Sequence, residues 1–196
     1  MKKIFLALNI LVLTFGTQII PDTSNSIQRI YEGSKDAKIT IITYESLTCG
    51  HCADFHKDIY PQLKKEFIDT GMVKIEFRHF PLDMAALNAS KVSQCNNDGK
   101  SDILHFLFSN QKKWAIGETV ETANEKLKKL LKDENIVADF EKCTNNKKIE
   151  DYVLNDRIEG VKKFKVNATP TIIINNKKFD KSLNYKNLKK SIEKLI

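Results

Sequence analysis

The 196-residue sequence predicts an α/β fold with a block of helices inserted into it. Three observations point there. Two β-rich segments, "KITIITYES" and "MVKIEFRHF", flank a stretch of helical spacing. From about Met84 to about Phe164, helical periodicity continues without a strand. Strand-forming residues then return in "TPTIIINNKKFD", ahead of a final amphipathic segment. The expected division is a leader over 1–16, a first α/β part over 27–83, a helical insertion over 84–164 and a second α/β part over 165–196.

The chain opens "MKKIFLALNILVLTFGTQII". Lys2 and Lys3 precede an apolar run, Ile4 to Leu13, too short to cross a bilayer comfortably, so the segment reads as a secretory signal removed near Gly16. An uncleaved anchor is the alternative, because Thr14-Phe15-Gly16 replaces the usual Ala-x-Ala. After the polar "PDTSNS", "IQRIYEG" predicts a brief strand. "KITIITYES" is β-branched and aromatic, as suits a buried strand. Thr48 is placed like the N-cap of the helix that follows. Along that helix Phe55, Ile59, Leu63 and Phe67 recur at one-turn spacing with Tyr60 alongside; Pro61 is expected to kink it and Gly71 to end it. In "MVKIEFRHF", Val73, Ile75 and Phe77 alternate inward while Lys74, Glu76 and Arg78 face outward. Within the helical block, one stripe joins Ile103, Leu107 and Trp114, and another joins Val153, Ile158 and Val161. Thr171 to Ile174 forms a strand, Asn175-Asn176-Lys177 turns the chain, a partner strand follows near Lys178, and "NYKNLKKSIEKLI" closes as a helix.

The formal net charge is +7. The lysines of "KLKKLLKDEN" and "KNLKKSIEKLI" alternate with leucines at helical spacing and read as solvated helix faces. No aromatic residues interleave with them as a base-stacking surface requires, so nucleic acid is not an expected partner.

The chemistry lies in "TYESLTCGHCADFH", where Cys49 and Cys52 stand at a strand-to-helix junction. A haem tether needs His directly after the second cysteine, and Ala53 is there. A zinc site needs four ligands; His56 lies one turn beyond Cys52, but no second pair completes the set, so no metal and no cofactor is expected. A structural staple across so small a loop would stabilise little. A redox pair remains, because a thiolate at a helix start meets unpaired backbone N–H groups, with His51 beside it. Capture of Cu(I) by two thiolates, in a metal-binding protein of low turnover, is a competing use of the same residues. Cys95 and Cys143 each stand near the end of a helical segment, in "VSQCNNDG" and "FEKCTNNK"; in an oxidising compartment such neighbours pair, giving a structural disulfide.

"CGHC" after a hydrophobic strand, with Thr169-Pro170 before a later one, resembles the thioredoxin superfamily. The helical block between, together with "FRHFPLD" and the cysteines of "SQC" and "FEKC", is similar to the single-domain branch of the bacterial DsbA-like thiol:disulfide oxidoreductases. The resemblance implies a thioredoxin fold with an inserted α-helical domain, in which Cys49 is the exposed nucleophile, Cys52 the buried resolving thiol and Pro170 a cis-proline beside them. A cis bond there would present the Thr169 backbone to an extended substrate. It further implies a periplasmic, monomeric enzyme that passes disulfides to unfolded or partly folded exported polypeptides, with a membrane thiol oxidase of DsbB type as its partner. A reductase or isomerase is the alternative; the short stretch before the first strand leaves no room for the dimerisation domain of a V-shaped isomerase.

The chain departs from the family pattern in two places. Gly50 stands where DsbA proper has proline, as in protein disulfide isomerase, and the two types sit near about −120 and −180 mV against about −270 mV for thioredoxin. An oxidising protein is therefore expected. Thr43 stands where relatives often carry an acid; Glu45, two residues on and on the same strand face, becomes the candidate proton acceptor for Cys52. Its alternative is a surface glutamate at the strand end. His56 and His105 read as packing or surface residues, and His79 as a structural corner.

Overall fold

A computed structural model of the chain describes residues 26–115 and 119–196; the expected leader over 1–16 lies outside the described residues. The strands are β1 (Tyr31–Glu32), β2 (Ile39–Glu45), β3 (Val73–His79), β4 (Thr171–Ile174) and β5 (Lys177–Lys178). They form a sheet in the order β1-β3-β2-β4-β5. β2 runs parallel to β3 and antiparallel to β4. A parallel pair needs a crossover, and the helical run over 50–68 supplies it.

β2 is buried along almost its whole length because both of its faces are covered. On one face Ile39 and Ile41 join a core with Phe55, Leu63 and Phe67. On the other, Ile42 and Tyr44 meet Phe80, Phe164, Val166 and Ile173. β3 has only one deeply buried face, which is why its sequence alternates and that of β2 does not.

The crossover alternates two kinds of helical turn: α1 (Gly50–Asp54), a π-helical stretch (Phe55–Ile59), α2 (Tyr60–Leu63) and a second π stretch (Lys64–Ile68). Pro61 enters in the first turn of α2, directly after a π stretch, where its missing N–H is least costly. Gly71, at φ +78°, then turns the chain away. One expectation fails at the other end. The N-cap of α1 is Cys49, with no side-chain cap; the Thr48 hydroxyl instead donates to Asp83 at 2.7 Å.

The inserted helices are α3 (Met84–Gln94), α4 (Asp102–Ser109), α5 (Gln111–Trp114), α6 (Val120–Asp133), α7 (Phe140–Thr144) and α8 (Lys147–Phe164); α9 (Tyr185–Glu193) follows the sheet. Asp83, Thr119, Asp139, Asn146 and Asn184 cap α3, α6, α7, α8 and α9 through side-chain oxygens, each worth about 1 kcal/mol. Cys95, after α3, is bonded to Cys143 of α7, with Cα atoms 5.4 Å apart. Trp114 is fully buried and donates its indole N–H to the Leu107 carbonyl at 3.0 Å.

The stripe expected on α8 is corrected by the structure: Val153 is buried, but Ile158 and Val161 are 46% and 45% exposed. The buried face is Ile149, Val153, Asp156, Gly160 and Phe164. Two of its members are invisible to a count of apolar residues. Asp156 is buried because Arg29 grips both carboxylate oxygens, at 2.5 and 2.7 Å. Gly160 is there because a Cβ would lie 2.7 Å from the Tyr44 ring. Together these elements make an α/β thioredoxin-type frame carrying an inserted helical block.

Candidate active site

Strand register assembles the site. Tyr44 pairs with Thr171 across β2 and β4, so the segment leaving β2 and the one entering β4 emerge side by side. The first carries Cys49 to Cys52; the second carries Thr169-Pro170, whose peptide bond is cis. Cys49 has extended backbone, φ −79° and ψ 120°, and its carbonyl accepts from the N–H groups of Cys52 and Ala53 at 3.1 and 3.2 Å. Both thiols are free; Cys49 is half-buried and Cys52 is fully buried.

Their acidities are driven apart. The Cys52 thiol donating to the Cys49 sulfur brings the Cys49 pKa down to about 5; burial opposes this, and the Thr169 side chain and the backbone N–H groups of Cys52 and His51 add to it. Cys52 is pushed far above the ordinary thiol range, first by burial, then by its bond to Cys49 and the negative charge of Glu45. His51 differs from expectation. Its imidazole is 88% exposed, 3.8 Å from Asp54, and the group it offers the thiolate is its backbone N–H.

Glu45 is not at the surface. Its carboxylate is buried, with Oε2 2.8 Å from His56 Nε2 and Oε1 without a partner. His56 stacks on Phe108 with centroids 4.0 Å apart, and its Nδ1 lies 3.0 Å from His105 Nδ1. Both histidines thus belong to a polar file, buried at His56 and half-buried at His105. The expectation of packing or surface histidines missed this, because the partners come from other elements. His79 is buried beside Gln94, its backbone N–H donating to Asp156 at 3.1 Å, and burial lowers its pKa.

Gln111, on α5, also escaped the sequence reasoning. Its amide donates to the carbonyls of Leu47 and Cys49 at 2.8 and 2.9 Å, so the inserted block holds the cysteine loop in place. Beside the loop a groove of about 590 Å³ is lined by His51, Asp54, Phe55, Pro170, Leu183 and Tyr185, among others. Among the described residues no cluster of His, Cys, Asp and Glu has a metal-binding arrangement, and no helix is long and apolar enough to cross a membrane.

Comparison with known proteins meets this geometry. A Rickettsia bellii protein provisionally named a protein-disulfide oxidoreductase is 30% identical over 150 residues, 73% of this chain and 55% of its own length. The chain thus spans about half the length of the rickettsial relatives it matches. Disulfide bond formation protein D of Bacillus subtilis is 29% identical over 176 residues, covering 83% of this chain and 74% of that protein. Among solved structures, alpha-DsbA1 of Wolbachia pipientis superposes with a TM-score of 0.76 at 30% identity, covering 85% of this chain and 90% of that one. The profile of the family described as Thioredoxin matches residues 25–194. With the sheet, the paired cysteines and the Thr169-Pro170 segment all inside that span, the chain belongs to the thioredoxin family.

Proposed function

We propose that the protein is a thiol:disulfide oxidoreductase that introduces disulfides into exported polypeptides in the periplasm. The single observation that carries this is the opposite displacement of the two thiols, Cys49 down to about 5 and Cys52 upward. A stabilised Cys49 thiolate favours the reduced protein and makes its disulfide oxidising. The relatives named for disulfide formation support the same direction of electron flow, and the Cys95–Cys143 bond suits an oxidising compartment.

The reaction runs in two displacements. A substrate thiolate attacks the Cys49 sulfur of the protein disulfide; the Cys49–Cys52 bond breaks, and Cys52 leaves and takes up a proton. A second substrate thiolate attacks the substrate sulfur of the mixed disulfide, and Cys49 leaves as its stabilised thiolate. Two electrons have passed to the protein, and the substrate holds a new disulfide. Pro170 and Thr169 wall the groove in which the substrate lies, with His51 at its rim. Glu45 is the proton acceptor when Cys52 must again become a nucleophile, during reoxidation by a membrane thiol oxidase of DsbB type. The protein acts as a monomer.

Equilibration with glutathione tests the proposal. The Cys49–Cys52 potential is expected well above the value of about −270 mV typical of thioredoxin, with turnover of a dithiol peptide to its disulfide. A potential at or below that value would convert the assignment to a reductase.

A further inference from the structure

Glu45, His56, His105 and Glu32 form one unbroken hydrogen-bonded file. Glu45 Oε2 lies 2.8 Å from His56 Nε2, His56 Nδ1 lies 3.0 Å from His105 Nδ1, and His105 Nε2 lies 2.7 Å from Glu32 Oε1. Exposure rises along it, with side-chain values of 3% and 5% for Glu45 and His56, then 25% and 16% for His105 and Glu32. Lys64, 42% exposed and 3.6 Å from Glu32, marks the solvent end. The file starts on β2 at Glu45, whose charge acts on the buried Cys52 thiol. It passes through the π stretch that carries His56 and through α4 of the inserted block, and ends on β1.

Its proton count is informative. Three hydrogen bonds between four groups need three protons, whereas two neutral imidazoles bring only two. The remaining proton is shared within the file. Each imidazole is bonded at both nitrogens, so each can accept a proton at one and release it at the other. Bonding at both ends is more than packing histidines need.

We propose that this file is a proton conduit between Cys52 and solvent, with His56 and His105 as its conducting residues and Glu32 as its outer terminus. The proposal rests on the role assigned above to Glu45. When Cys52 attacks a mixed disulfide on Cys49, its proton passes to Glu45; a proton already in the file moves from His56 to His105, and one leaves through Glu32. When Cys52 departs as a leaving group, the same shift runs inward. The groups that face the file are Cys52 and Glu45 at one end, Tyr60 and Lys64 from the crossover, Ser101 before α4, and His79 on β3, which senses the Glu45 charge. Burial alone would raise the Glu32 pKa, but bonds from His105, Ser101 and Tyr60 outweigh it and hold the group at about 2. The outer terminus therefore stays anionic: its charge draws a proton outward along the file, and it does not retain the proton against solvent.

Reaction of the reduced protein with glutathione disulfide separates the two steps. Cys49 first displaces one glutathione and forms a mixed disulfide; Cys52 then loses its proton, attacks the Cys49 sulfur and releases the second glutathione as a thiolate. His105→Gln is expected to slow the second step at least about tenfold, to flatten its pH profile and to let the mixed disulfide accumulate in mass spectra, while the first step keeps its rate. Glu45→Gln is expected to slow the second step as well. If Glu45→Gln slows it and His105→Gln does not, the conduit falls while Glu45 stands as the acceptor; if neither slows it, both assignments fall. Equal slowing of both steps by His105→Gln would make the histidine structural and also overturn the conduit. Should His105→Gln not fold, Glu32→Gln carries the test, and an unchanged second step in that variant would sink the proposal.

Discussion

The Cys49 sulfur lies 3.4 Å from the Thr169 carbonyl oxygen, to which the thiol donates. That bond serves only the protonated form, because a thiolate has no proton to give. The hydroxyl of the same residue is buried without a partner, and the Thr169 side chain is among the groups that lower the Cys49 pKa. One residue thus offers an acceptor to the thiol and a donor to the thiolate.

Thr169→Val should therefore raise the Cys49 pKa from about 5 and make the disulfide less oxidising. Stability of the oxidised protein should hold or rise by up to about 1 kcal/mol, since a buried hydroxyl without a partner is removed, while the reduced protein should lose stability because its thiolate loses a donor. Ultraviolet titration of the thiolate and a glutathione equilibrium measure the two effects. An unchanged pKa would leave the hydroxyl without a part in thiolate stabilisation.

The pKa split also fixes how stability depends on pH. The Cys49 pKa is depressed from 9.0 to about 5 on folding, so its contribution is present above the unfolded value and lost as pH falls through about 5. Cys52 is raised, so folding loses stability where the unfolded thiol would ionise, above its ordinary pKa of 9.0. The reduced protein should gain stability relative to the oxidised protein from about pH 5 to about pH 9, then lose it above. Taking the difference between the two redox forms cancels the groups common to both. Paired denaturation curves across that range check it; a flat difference would contradict the assigned acidities.

Gln111 makes a third case. It is buried and bonds two carbonyls of the cysteine loop. Gln111→Leu keeps the apolar volume but leaves the Leu47 carbonyl without this donor and takes one bond from the Cys49 carbonyl, which keeps those from Cys52 and Ala53. It should cost about 2 kcal/mol. Reactivity of Cys49 toward an alkylating agent should fall with it, because the loop loses its anchor to α5. Chemical denaturation and alkylation kinetics are the measurements, and a variant as stable as the parent would remove the anchor role.

What could be read from the sequence was local. The β-branched run of β2, the helix spacing after it and the cysteines at their junction lie within one short stretch, so the β-α-β unit and its redox pair were legible. The polar file was not. His56 is 11 residues from Glu45 but 49 from His105, which is 73 from Glu32. No spacing rule connects positions that only the inserted block brings together. Gln111 was hidden for the same reason. On α8 the failure was different: pattern counting rewards Ile158 and Val161, but the packed face is set by a glycine against Tyr44 and an aspartate held by Arg29.

The last prediction concerns the bond between Cys95 and Cys143, which spans 48 residues of sequence. It closes a loop that contains α4, α5 and α6 and joins α3 to α7. In the unfolded chain, a cross-link over a loop of this length removes entropy worth roughly 4 kcal/mol. Cys95→Ala with Cys143→Ala should therefore lower stability by up to about that amount, measured by denaturant midpoints of the oxidised proteins. Activity is another matter. Neither sulfur is a partner of Cys49 or Cys52, whose acidities are set by each other, Thr169, Glu45 and backbone N–H groups. At a temperature where the double variant remains folded, it should oxidise a dithiol peptide at close to the parent rate. Loss of stability with retained turnover would assign the bond to the scaffold. Loss of turnover in a folded double variant would instead mean that the inserted block transmits its own redox state to the site, through Gln111 or through the His105 file, and the two disulfides could no longer be treated as independent.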